Sequence, residues 1–73
     1  MASVRPYRHP LTSAGAATLS IGDTLNGLRG DARVVGVRSG FEHMSVDAEM
    51  LDNGDPFTIT LSTGDISAWW SYR

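Results

Sequence analysis

The chain reads as an all-β protein: a small barrel or strongly bent antiparallel sheet of four or five strands, preceded by an extended N-terminal arm. Three observations predict this. Two alternating runs, Met44–Leu51 and Pro56–Ser62, flank an Asn53-Gly54 pair, the strongest short-range hairpin signal. Ala32–Arg38 is rich in β-branched residues and is bounded by glycine turns. The first eighteen residues carry no amphipathic period and include Pro6 and Pro10, which favour extended backbone.

In chain order, residues 1–18 form the arm and residues 19–73 a small β-barrel domain. Removal of the arm is expected to leave the body folded. Leu19–Leu25 supplies a short first strand ending near Gly22-Asp23, and Asn26-Gly27 and Arg29-Gly30-Asp31 are turn chemistry. The Ala32–Arg38 strand places Val34 and Val37 on one face only if Gly36 makes a bulge. The hairpin follows. A two-residue turn at Asn53-Gly54 pairs Met50 with Phe57, Ala48 with Ile59 and Val46 with Leu61, all apolar. The other face pairs Glu49 with Thr58, Asp47 with Thr60 and Ser45 with Ser62, all polar. A slip of one residue would turn the apolar set to water, so the pattern specifies the register. That turn sets Asp52 against Asp55, which a looser four-residue loop would relieve. Thr63-Gly64-Asp65 is a turn, and Ile66–Tyr72 alternates as a last strand. Its alternation predicts Trp70 in the core and Trp69 facing out.

The order of these pieces resembles the SH3-like barrel family over about residues 19–73. The matching residues are Ile21-Gly22-Asp23-Thr24-Leu25, the Arg33–Arg38 strand, the hairpin around Asp52–Asp55 and the turn at Thr63–Asp65. The resemblance implies binding of peptides, proteins or nucleic acids. The acidic-aromatic segment of peptide-binding SH3 domains has no counterpart here, which argues against proline-rich ligands.

Composition narrows the function classes. The chain has 73 residues and no cysteine, so no disulfide or Cys-based zinc site is possible. His9 and His43 are the only histidines and have no ligand spacing, so no metal or other cofactor is expected. Asp52-Asn53-Gly54-Asp55 is too short for a calcium loop, and Arg29-Gly30-Asp31 is explained as a turn. There is no nucleophile elbow and no phosphate loop, so the chain is not expected to be an enzyme, and no small-molecule substrate is expected. No run is apolar enough to span a bilayer, and the first ten residues lack the apolar centre of a secretory signal. The expected location is the cytoplasm, or a virion assembled there.

Charge is unevenly placed. Arg5 and Arg8 lie in the arm, whereas residues 19–73 hold eight acids against four arginines. An acidic body repels phosphate, so the arm suits an acidic protein surface or another copy of the chain. The expected function is a non-catalytic protein-binding or assembly module of the phage accessory type. Arg5, Tyr7, Arg8 and the outward Trp69 would be its contacts. The alternative is a nucleic-acid-associated barrel in which Arg29, Arg33 and Arg38 form a basic stripe, with a bulge at Gly36 bringing Arg33 and Arg38 onto one face.

Overall fold

A computed structural model describes residues 9–71. Its elements are β1 (His9–Thr12), α1 (Ser13–Ala16), β2 (Thr24–Gly27), β3 (Gly30–Gly40), β4 (His43–Met50), β5 (Pro56–Ser62) and β6 (Ile66–Ser71). They make one six-stranded antiparallel sheet in the order β1-β6-β2-β3-β4-β5. The sheet is open, and it bends. Leu11 on β1 and Leu61 on β5, at opposite edges of the strand order, are buried in one cluster with Leu25, Val34 and Val46. We call the face carrying these residues the inner face.

The sixth strand comes from the segment read as arm. His9–Thr12 pairs with β6. Thr12 then caps the single turn α1, its Oγ1 accepting the Gly15 N–H at 3.1 Å. Leu11 and Ala16 are fully buried, and Leu19 nearly so. Residues 9–18 are thus part of the body, and a body cut at residue 19 would lack two core side chains. The strand read over Leu19–Leu25 is displaced to Thr24–Gly27. Ile21 lies in a turn and is exposed. Asp23 closes that turn by accepting the Ser20 N–H on its carboxylate.

The β4–β5 hairpin keeps the expected faces but not the expected partners. Val46 pairs with Ile59, Ala48 with Phe57 and Met44 with Leu61, a shift of two residues. A two-residue shift preserves side-chain parity. Val46, Ala48 and Leu61 are therefore buried, and Met50, Phe57 and Ile59 half-buried. The connection is the looser loop, residues 51–54. The Gly54 N–H donates to the Met50 carbonyl at 2.8 Å and the Met50 N–H to the Asp55 carbonyl at 2.9 Å. Gly54 has φ +76°, which a residue with a Cβ adopts only under strain. The Asn53 side chain accepts the Asp55 N–H at 3.0 Å, and Asp52 no longer opposes Asp55.

The expected bulge in β3 is present. Register shifts between Val34 and Gly36, and Val34 and Val37 both face the core. Strand β6 corrects the expected alternation. Ser67 and Trp69 are half-buried and Ser71 buried, whereas Ile66 and Ala68 are exposed. Trp69, not Trp70, packs on the core cluster. Trp70 is opposite Asn26 and Pro10 on the outer face. The physical reason lies at Gly27. A Cβ there would come within 2.5 Å of the Trp69 ring, so only a glycine leaves room for the indole.

Candidate functional site

Six residues are the contacts expected from the sequence. Arg5, Tyr7 and Arg8 lie outside the described residues. The other three fall in two different places.

Arg33 and Arg38 meet on the outer face, as the Gly36 bulge requires. Each is paired with an acid of β4, because Asp47 and Glu49 are two residues apart and share that face. Arg33 pairs with Glu49. Arg38 binds Asp47 through both Nε and a terminal nitrogen, each at 2.9 Å. Thr58 on β5 donates its hydroxyl to the same carboxylate at 2.8 Å. The Arg38 hydrogen bond, then the Thr58 bond, holds the Asp47 carboxyl below its ordinary pKa. This ladder across three strands is close to neutral. Arg29 stands apart from it in the β2–β3 turn, so the three arginines do not form a stripe.

Trp69 lies on the inner face at the end of the bent sheet. Its ring stacks on Phe57, with centroids 5.0 Å apart and planes 20° from parallel. The benzo edge rests over Gly27. Beside it opens a groove of about 310 Å³ lined by Leu28, Arg29, Met50, Ala68 and Trp69. Three separate segments build it. Leu28-Arg29 is the tip of the β2–β3 hairpin, Met50 ends β4, and Ala68-Trp69 belongs to β6. The walls are apolar apart from Arg29, and Leu28 is 89% exposed. Among the described residues, Arg29 makes no ion pair, unlike Arg33 and Arg38.

Leu28, Met50 and Ala68 are not among the contacts expected from the sequence, which puts Arg29 in a basic stripe instead. The one local signal was the Gly27-Leu28-Arg29-Gly30 tip, where two glycines bracket a large apolar residue and a cation.

A second concavity, about 550 Å³, lies at the β3–β4 tip and is lined by Phe41, Glu42, His43, Thr60, Ser62 and Thr63. Glu42 takes φ +60° in this turn, and His43 Nδ1 lies 2.9 Å from the Phe41 carbonyl oxygen. The His43 ring fills the space a Cβ on Gly40 would take, so His43 is packed down against its own hairpin. His9 is on β1, several strands away in the sheet order. Among the described residues no group of three or more His, Cys, Asp or Glu could hold a metal ion. No helix among them is long and apolar enough to cross a membrane. No protein family, curated protein or solved structure matches this chain.

Proposed function

We propose that the chain is a non-catalytic protein-binding or assembly module of SH3-like build, which contacts its partner through the groove beside Trp69. The observation that carries this reading is an apolar groove with an 89% exposed leucine at its lip. Water-exposed apolar surface of this kind is stabilised when a partner covers it. The meander β2–β5, with β6 returning beside β2, supports the SH3-like part. Such a frame would carry the proposed contact at its end. A phage-type accessory protein, which decorates an assembly or blocks a host protein, suits that build. The nucleic-acid alternative loses ground because Arg33 and Arg38 are neutralised by Glu49 and Asp47.

The test compares wild type with Leu28→Asp. Leu28 is exposed, so the variant should fold, as its circular dichroism will report. Light scattering gives the molar mass of each, and each is immobilised to capture proteins from a lysate of the producing cell. We expect the wild type to self-associate or to retain a partner that the variant loses. Identical molar mass and identical capture by both proteins would refute the reading.

A further inference from the structure

The structure assigns the groove a specific kind of occupant: the free C-terminus of a protein chain whose last residue is apolar. This inference rests on the binding-module reading above and names the partner's chemistry. Two features of the groove carry it. Its walls of Leu28, Met50, Ala68 and Trp69 present apolar surface in about 310 Å³, room for the end of one chain rather than for a helix. Its single charged wall residue is Arg29, a guanidinium with no acid partner among the described residues. Apolar walls take an apolar side chain, and an unpaired guanidinium in the same wall takes a carboxylate, through paired N–H donors.

The two demands fall within one small cavity, and that decides the source of the carboxylate. In an extended chain, neighbouring side chains point to opposite faces. An adjacent Asp or Glu therefore aims away from the groove that takes the apolar side chain, and one two residues on, though on the same face, is set about 7 Å further along the chain. A C-terminal residue carries both groups on one Cα. Capture of a C-terminal carboxylate is an established mode of recognition, there by backbone N–H donors and here by a guanidinium. Among the described residues no acid lines the groove. Asp52 and Asp55 are exposed and do not line the groove, and the Asp31 carboxylate accepts a hydrogen bond from Asn26 Nδ2 at 3.0 Å.

Three short peptides test the assignment. One ends in a free leucine carboxylate, one is the same peptide with a C-terminal amide, and one places Asp-Leu internally with both ends blocked. Each is titrated into the ¹⁵N-labelled full-length protein. The amides of Leu28, Arg29 and Ala68 and the Trp69 indole N–H report binding. We expect the free carboxylate to bind about five-fold more tightly than either blocked peptide, the scale of one exposed charge pair. Arg29→Gln should abolish that preference while leaving the spectrum of the free protein intact. Equal binding of the acid and the amide to wild type overturns the assignment but leaves the apolar groove as the contact. Failure of all three peptides to shift these signals also overturns it. Capture and molar mass of Leu28→Asp then decide the module reading separately.

Discussion

Replacing Leu11 by alanine should cost this protein a large part of its stability. Leu11 is fully buried on β1 and belongs to the same cluster as Leu25, Val34, Val46 and Leu61. Truncating a buried leucine to alanine costs about 2–5 kcal/mol, more where the cavity stays open. The pairing of β1 with β6 is irregular between Pro10 and Thr12, so this edge can partly collapse into the space. We therefore expect about 2–3 kcal/mol, the lower half of that range. A domain of this length holds about 4–11 kcal/mol in all, so the loss is severe. It corresponds to a fall in Tm of about 10–20 °C. Urea unfolding followed by far-UV circular dichroism gives the value. A truncation that begins at His9 is the control, since it keeps β1 whole and should retain a cooperative transition. A truncation that begins at Leu19 should not fold, because it removes Leu11, Ala16 and the Thr12 cap together. Should Leu11→Ala shift stability by less than about 0.5 kcal/mol, a value typical of surface sites, then β1 is not part of the core and the reasoning fails.

Gly27→Ala should destabilise by about 1–3 kcal/mol through overpacking, since the new methyl meets the Trp69 ring and the Gly30 carbonyl. The Trp69 indole N–H signal should move with it, and an unmoved signal would show that the ring does not rest there. Gly54→Ala should cost about 1 kcal/mol from backbone strain alone, because nothing surrounds the position. Urea midpoints distinguish that from a neutral change. Asp47 gives a pH prediction. Its carboxyl titrates lower folded than unfolded, so the stability it contributes is present above the unfolded value of about 3.9. That contribution is lost as pH falls through the folded value. Arg38→Gln should raise the Asp47 titration toward the ordinary range, read from the carboxyl ¹³C shift. An unchanged midpoint would mean that the Arg38 contact is not made in solution.

Side-chain parity was the most legible part of the fold. The polar and apolar faces of β4 and β5 survive a shift of two residues, so they could be read without the correct register. The register itself was ambiguous because Asn-Gly suits two loops. It fits the centre of a two-residue turn, and Gly54 equally fits the last, positive-φ place of a four-residue loop. The Gly36 bulge was legible because two valines three residues apart cannot otherwise share a face. Strand β1 was not. Four residues with a proline have no period of their own, and their order comes from pairing with β6, some sixty residues away in sequence. The tandem Trp69-Trp70 offered two equally hydrophobic frames, and the choice between them was made by Gly27 on another strand. The groove was hidden for the same reason, since its walls come from three segments that no local pattern links.

Where the sheet is closed says as much about contact as where it is open. Strand β5 is an edge, and an exposed edge invites another strand. Here both ends of β5 are blunted. Pro56 has no N–H to offer, and Asp65 takes the Ser62 N–H on its carboxylate while donating its own N–H to the Ser62 carbonyl, both at 3.0 Å. The outer face next to it is a ladder of paired charges and hydroxyls, which water solvates well. Strand addition and charge attraction are thus both weak along this side of the molecule. The opposite is true at the Trp69 end, where the bulky ring is half-covered by Phe57 and Gly27 and the rest of the wall is left to solvent. The proposed contact, which buries apolar surface, would form there beside the exposed Leu28. The consequence is testable in the salt response: binding through this groove should persist at high ionic strength, losing only the part contributed by Arg29. A partner released completely by moderate salt would instead be held by charge, and the apolar groove would not be its site.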